Sequence, residues 1–194
     1  DYFGPLTVCA VYADEKMFSE LRAAGIKDSK KLTDKKIDEF KDIIIEICPY
    51  YCVVEVKNRQ FNDMHAKVNN INEILAHAHA ACIKNLYQKT KCENVLIDKF
   101  ANEYRIENEL RELPLHITQR PKAEQNIAVA AASILARYTY MTRLKSMSEE
   151  YGIDFCAGAG SQADICANKF AEIYGKDKLY DICKISYKNT QRVK

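Results

Sequence analysis

Short apolar runs alternate along this chain with longer segments in which hydrophobic residues recur every three or four positions. The runs are typical of buried strands, and the periodic segments are typical of amphipathic helices. We predict strands over residues 6–13, 51–56, 94–98 and 115–118. We predict helices over residues 15–24, 33–48, 59–66, 70–89, 102–112, 124–147, 161–174 and 177–186. This alternation predicts an α/β fold.

The second predicted helix shows the helical pattern most clearly. Thr33 is a candidate N-cap, because a threonine hydroxyl accepts a hydrogen bond from a free amide of the first helical turn. Ile37, Phe40 and Ile44 then fall on one face of the helix. Pro49 marks the end of the helix.

The composition is that of an ordinary globular protein. Of the 194 residues, 47% are apolar and 29% are charged, and the formal net charge is +2. These values exclude a histone-like cationic protein and an acidic tail, so a nucleic-acid partner requires a local basic patch. No linker or repeat interrupts the chain, and we therefore predict a single domain over residues 1–194.

The cysteines and the hydropathy bear on the cellular compartment. Eight cysteines, without a CxxC pair and mostly within apolar runs, predict reduced thiols in the cytoplasm rather than a disulfide framework or a zinc site. No apolar run reaches the length of about 18 residues that a membrane span needs, and no signal peptide opens the chain. We therefore predict a cytoplasmic protein without a membrane partner.

Two carboxylates stand where the predicted fold collects functional residues. Asp98 ends the third strand, and Glu124 stands at the start of the longest helix. An aspartate at the end of a strand often begins a turn, and a glutamate at the start of a helix often interacts favourably with the helix dipole. If the fold brings both carboxylates to one end of the sheet, their repulsion calls for a cation such as Mg²⁺. Such ions activate water and stabilise the leaving oxygen in phosphodiester cleavage.

A lysine-rich loop provides a second candidate site. Residues 25–32 include Lys27, Ser29 and Lys30, whose charges and hydroxyl suit contacts with phosphate groups. A solvated turn with a helix cap is the alternative. The alanine-rich segment 128–136 predicts close helix packing, and Gly158 with Gly160 is only a weak signal for anion binding.

Taken together, these motifs resemble the type 2 ribonuclease H family, and within it ribonuclease HIII. Residues 1–10 (DYFGPLTVCA) resemble the stretch that follows the family's Asp-Glu-x-Gly-Thr-Gly motif. Residues 27–30 (KDSK) resemble its lysine–serine loop, and residues 96–98 (LID) resemble its third acidic strand end. Residues 122–124 (KAE) with residues 128–137 resemble the helix that carries its fourth acidic residue.

The resemblance implies a ribonuclease H-like mixed β-sheet flanked by helices. It implies an endonuclease that hydrolyses the RNA strand of RNA–DNA hybrids with Mg²⁺ or Mn²⁺, recognising the hybrid by its geometry and 2′-hydroxyls. Asp98 and Glu124 would be catalytic metal ligands, and Ser29 and Lys30 would contact the substrate backbone. We expect a monomer.

The chain departs from the family pattern at its first residue. The family's Asp-Glu pair should stand just before Asp1, so we expect an N-terminally truncated catalytic domain that lacks its first acidic motif and first strand and is inactive as it stands. Residues 156–157 (CA) also replace a basic position. Three alternatives remain open: an inactive hybrid-binding module, a ribonuclease HII-like enzyme acting at embedded ribonucleotides, and another metal nuclease of the same superfold.

Overall fold

The computed structural model describes residues 1–27 and 29–194, without the side chain of Lys31. Its strands are β1 (Leu6–Val11), β2 (Tyr51–Val56), β3 (Asn94–Asp98) and β4 (His116–Arg120). Its helices are α1 (Glu15–Ala23), α2 (Asp34–Ile47), α3 (Asn58–Val68), α4 (Ile71–Thr90), α5 (Tyr104–Leu110), α6 (Ile127–Tyr151), α7 (Ser161–Tyr174), α8 (Leu179–Ile182) and α9 (Lys188–Gln191). Short 3-10 turns occupy Ser29–Lys31, Ala123–Gln125 and Lys176–Lys178.

The start of α2 confirms the capping prediction. The Thr33 hydroxyl oxygen accepts a hydrogen bond from the backbone amide of Lys36 at 3.3 Å. Ile37, Phe40 and Ile44 are buried on one side of the helix. The capped first turn therefore explains where α2 begins in the sequence, and the apolar face explains which side of it is buried.

The predicted helix over residues 124–147 begins later than expected, at Ile127. Glu124 lies in the preceding 3-10 turn, so its predicted place in the first turn of the helix is wrong. Asn126 separates the two elements, because its backbone is extended and its side-chain oxygen accepts from the Ala128 amide at 3.0 Å. An asparagine that binds nearby backbone amides competes with the helical pattern.

The described strands form two separate two-stranded sheets, one of β1 and β2 and one of β3 and β4. In the second sheet the strands are parallel, and the register pairs Asn94 with His116 and Asp98 with Arg120. Helix α5 lies between these strands in the sequence, as a parallel connection requires. The expected first strand stays a prediction.

The chain divides into two compact units. The first unit contains Asp1–Leu6, Glu55–Ile71 and Thr139–Lys194, and the second contains Thr7–Val54 and Asn72–Tyr138. The single domain predicted over residues 1–194 stays a prediction. Within the described part of the chain, no helix is long and apolar enough to cross a membrane.

The first unit has an aromatic core. Phe3 is fully buried and its ring lies 4.7 Å from that of Phe155. Backbone pairing of Phe3 with Cys183 fixes the segment that follows α8. Gly4, with a φ of 74°, continues from Phe3 beside the ring of Tyr140.

The second unit contains two apolar clusters. One joins α1, α2 and α6 and includes the fully buried Leu21 and Ile134. Ala130 and Ala131 are buried in the same cluster, as expected for close packing of a small-residue helix face. The other cluster joins β3, α4 and α5 around Ile97, and it holds the strand that ends at Asp98.

Candidate active site

Asp98 is exposed at the carboxyl end of β3, as the sequence predicts. Its Oδ1 atom accepts a hydrogen bond of 3.0 Å from the backbone amide of Ala123. Ala123 is buried and begins the 3-10 turn that contains Glu124. The parallel register therefore delivers Asp98 to the turn that carries the second predicted carboxylate.

Glu124 is held by a tightly turned segment. Lys122 before it adopts the left-handed conformation with a φ of 58°, and the Asn126 amide closes the turn on the Ala123 carbonyl at 2.8 Å. The side chain of Glu124 is half-buried, and its Oε2 atom is buried without a hydrogen-bond partner among the described residues. An unpaired buried carboxylate oxygen is costly, and a cation or a donor from a ligand would compensate for it.

An open cleft of about 460 Å³ lies beside Glu124. Lys122, Gln125 and Ile127 line it on the same segment. Lys27, from the predicted phosphate-binding loop, lines it as well. The fold thus brings the lysine loop to the glutamate, and lysines beside carboxylates suit a ligand that is itself anionic.

The oxygen donors of Asp98 and Glu124 fit a hard divalent cation such as Mg²⁺. The buried Oε2 atom of Glu124, which has no hydrogen-bond partner among the described residues, supports this fit. Among residues 1–27 and 29–194, however, no group of three or more His, Cys, Asp or Glu side chains is arranged to hold a metal ion. The predicted roles of Asp98 and Glu124 as metal ligands therefore stay predictions, and an ion held by these two carboxylates would need water or substrate oxygens to complete its set of ligands.

Ser29 is buried at 4% exposure, and its hydroxyl oxygen lies 2.6 Å from that of Ser133 in α6. Its carbonyl oxygen accepts from Arg137 Nη1 at 2.6 Å. Lys30 is exposed. The expected contacts of Ser29 and Lys30 with the substrate backbone stay predictions. The structure shows a different role for Ser29, which anchors the loop to α6.

Asp28 and the side chain of Lys31 belong to the same predicted loop but lie outside the described part of the chain.

Sequence reasoning missed the two residues of α6 that hold the loop. Ser133 and Arg137 are four positions apart, and residues at this spacing share a helix face. Arg137 also donates from Nη2 to Asp34 Oδ1 at 3.1 Å, so one guanidinium joins the loop to the start of α2. A serine and an arginine on an otherwise apolar, alanine-rich helix face were the available signal.

The glycine loop of the first unit, residues 158–160, is joined to both ends of the chain by hydrogen bonds. The Gly158 amide donates to Asp1 Oδ1 at 2.5 Å, and the Gly158 carbonyl accepts from the Tyr2 amide at 2.8 Å. Asn189 Nδ2 donates to the Ala159 carbonyl at 3.1 Å. The Gly158 amide is therefore engaged by the carboxylate of Asp1, and binding of an external anion at these glycines stays a prediction.

Comparison with solved structures identifies the fold as that of the type 2 ribonucleases H. The structure of Bst-RNase HIII in complex with Mn²⁺ matches with a TM-score of 0.91 and 29% identity, covering 99% of this chain and 65% of that one. Ribonuclease H2 from Pyrococcus horikoshii OT3 matches with a TM-score of 0.84 and 23% identity, covering 98% of this chain and 90% of that one. The predicted ribonuclease H-like α/β fold is confirmed.

The sequence profile of ribonuclease HII matches residues 1–190, and the chain belongs to this family. Ribonuclease HIII of Protochlamydia amoebophila (strain UWE25) is 35% identical over 195 residues, covering all of this chain and 64% of that protein. Ribonuclease HIII of Bacillus mycoides (strain KBAB4) is 36% identical over 206 residues, covering 99% of this chain and 64% of that protein.

The predicted resemblance to type 2 ribonuclease H, and to ribonuclease HIII in particular, is confirmed. This chain spans about 64% of the length of these relatives.

Proposed function

We propose that this chain is the catalytic part of an endonuclease that hydrolyses the RNA strand of RNA–DNA hybrids with Mg²⁺ or Mn²⁺. The hydrogen bond from Ala123 to Asp98 carries the proposal, because it joins one predicted metal ligand to the turn that presents the other. The relatives named ribonuclease HIII support this activity, and the Mn²⁺ complex of Bst-RNase HIII supports the choice of ion.

Each group has a proposed role. Asp98 and Glu124 hold the cation, whose chemistry when bound is to activate a water and to stabilise the leaving oxygen of the phosphodiester. Lys27 and Lys30 neutralise phosphates of the bound strand. Ser29 positions the loop through its buried contact with α6.

The protein's setting is part of the same proposal. All eight cysteines lie within the described residues, and all are free thiols. Free thiols in this number support a reducing compartment, and we propose a monomer in the cytoplasm.

Substitution of Asp98 in the complete protein tests the assignment. Asp98→Asn keeps a side-chain oxygen that accepts from the Ala123 amide but removes the charge that binds a cation. We expect cleavage of an end-labelled RNA–DNA hybrid in Mg²⁺ or Mn²⁺ to fall to background, with the thermal midpoint unchanged. Asp42→Asn is the matched control, because Asp42 is exposed and, among the described groups, its carboxylate contacts only the partly buried Lys41.

Wild-type cleavage by Asp98→Asn would refute the metal assignment. A substrate panel separates the alternatives for the wild-type protein. Binding of hybrids without cleavage would favour a binding module, and cleavage confined to single embedded ribonucleotides would favour a ribonuclease HII-like activity. Cleavage of plain duplex DNA with hybrids spared would indicate another metal nuclease of this superfold.

A further inference from the structure

Three cysteines of the second unit converge on one side of the sheet formed by β1 and β2. Cys9 lies on β1, Cys52 on β2 and Cys82 on α4. The Cys82 sulfur lies 3.4 Å from the carbonyl oxygen of Cys52 and 3.6 Å from that of Val8, so its single S–H group can donate to either one. It also lies within hydrogen-bonding reach of the Cys52 thiol. The Cys82 sulfur therefore lies against the backbone of Cys52, a residue 30 positions away in the sequence.

The two thiols differ in access and in acidity. Cys82 is fully buried, whereas Cys52 is partly exposed. The hydrogen bond from Cys82 lowers the pKa of Cys52 to about 7, and the positive charge of Lys89 acts in the same direction. That contact and burial together raise the pKa of Cys82. Burial also raises the pKa of Cys9. Cys52 is thus the more accessible and more acidic thiol of the pair, and Cys82 is the buried thiol beside it.

We propose that Cys52 and Cys82 form a redox-active dithiol site, which small disulfides such as oxidised glutathione convert reversibly into a disulfide between β2 and α4. A partly exposed, acidic thiol with a second thiol at hand is the arrangement found in redox-responsive cysteine pairs. This reaction does not involve the proposed metal ligands Asp98 and Glu124.

The chemistry balances with a small disulfide as the only oxidant. The Cys52 thiolate attacks one sulfur of that disulfide, forms a mixed disulfide and releases a small thiolate, which takes up a proton. Cys82 then gives its proton to solvent and attacks the sulfur of Cys52, which expels the second small thiolate. Two protein thiols are oxidised, and one small disulfide is reduced to two thiols.

A second pair of neighbouring thiols provides an internal comparison. Cys166, in the first unit, donates to the Asp154 carbonyl at 3.2 Å and lies within hydrogen-bonding reach of Cys156. Burial raises the pKa of Cys166. The proposal therefore requires that the pair of Cys52 and Cys82 be oxidised first.

Disulfide mapping tests the proposal. The reduced, folded chain is incubated with oxidised glutathione, alkylated with N-ethylmaleimide, and digested for mass spectrometry. We expect a peptide that links Cys52 to Cys82, the loss of two alkylatable thiols, and reversal by reduced glutathione. A Cys156–Cys166 link formed first, or glutathione adducts without a Cys52–Cys82 link, would overturn the proposal.

One variant separates the attack of Cys52 on the small disulfide from the later closure of the protein disulfide by Cys82. Cys82→Ser keeps a hydroxyl donor in the same place, so we expect it to fold and to accumulate Cys52 as a stable mixed disulfide with glutathione. Cys92→Ser is the control, because the Cys92 thiol donates to the carbonyl of its near neighbour Asn94, and we expect the Cys52–Cys82 link to form in it as in the wild type. Failure of Cys52 to react in a folded Cys82→Ser variant would count against the attacking role.

A wild-type measurement covers the case in which Cys82→Ser does not fold. The rate at which iodoacetamide alkylates Cys52 in the native chain should rise with pH around a midpoint near 7. A midpoint at the ordinary thiol value of about 8.5 would refute the assigned acidity and with it the attacking role of Cys52.

Discussion

Replacing Ser133 with alanine removes the hydroxyl that the structure places 2.6 Å from the hydroxyl of Ser29. Ser29 is 4% exposed, so water does not readily replace the lost partner. An unsatisfied buried polar group costs about 1–3 kcal/mol. The higher helix propensity of alanine recovers up to about 0.5 kcal/mol. We therefore expect Ser133→Ala to lower the free energy of unfolding by about 1–2 kcal/mol.

The double variant isolates the contact itself. Ser29→Ala alone leaves Ser133, whose hydroxyl turns to a carbonyl of its own helix, so we expect a cost of only about 0.5–1.5 kcal/mol. Removing both hydroxyls leaves no orphaned group. The double variant should therefore be more stable than the sum of the single changes predicts, with a coupling of about 1 kcal/mol.

Urea unfolding followed by circular dichroism measures all three variants. Ser146→Ala is the matched control, because this exposed serine of α6 donates only to the Thr142 carbonyl of its own helix at 3.0 Å. We expect the control to change stability by less than about 0.5 kcal/mol. If Ser133→Ala behaves like the control, or if the single effects add, the proposed anchoring of the lysine loop to α6 is refuted.

Two further predictions concern the first unit. Gly4→Ala should lower the free energy of unfolding by about 1–3 kcal/mol in urea, because φ at Gly4 is 74° and an added Cβ atom would stand 3.0 Å from the ring of Tyr140. Gly152→Ala is the control, because φ there is 62° and no described atom lies within 4 Å of the added carbon. An equal loss of stability in the two variants would show that the contact with the ring contributes nothing. Burial lowers the pKa of Lys184 from 10.5 to about 8, so the folded chain binds fewer protons than the unfolded chain between these two pH values. The wild type should therefore gain stability relative to Lys184→Met as the pH rises from about 8 towards 10. A difference in stability between the two proteins that does not change with pH would contradict this.

Local signals explain which parts of the fold were predictable. Thr33 capped a helix as expected, and Asp98 stood at a strand end, because a cap and an apolar run act over a few residues. The start of α6 was predicted too early, since helix periodicity does not register the Asn126 side chain that closes on the Ala128 amide. Short-range hydrogen bonds of this kind override propensity at helix boundaries.

The residues of the candidate site were proposed from the resemblance, and their contacts could not be predicted from the sequence. The resemblance pointed to Asp98 and Glu124, yet the bond from the Ala123 amide to Asp98 joins residues 25 positions apart. The anchoring of Ser29 depends on a partner 104 positions away. Contacts at this separation follow from how helices and strands pack, and hydrophobic periodicity along the chain does not contain that information.

The parallel pairing of β3 with β4 bears on the order in which this molecule assembles. Asn94 faces His116, and every pair in this register has the same short spacing along the chain. Closing so short a loop costs little entropy, so the edge that carries Asp98 can form as soon as β4 has left the ribosome. Ser29 is synthesised long before Ser133, and its loop must wait for α6. We therefore expect the edge of the sheet that carries Asp98 to form before α6 secures the lysine loop.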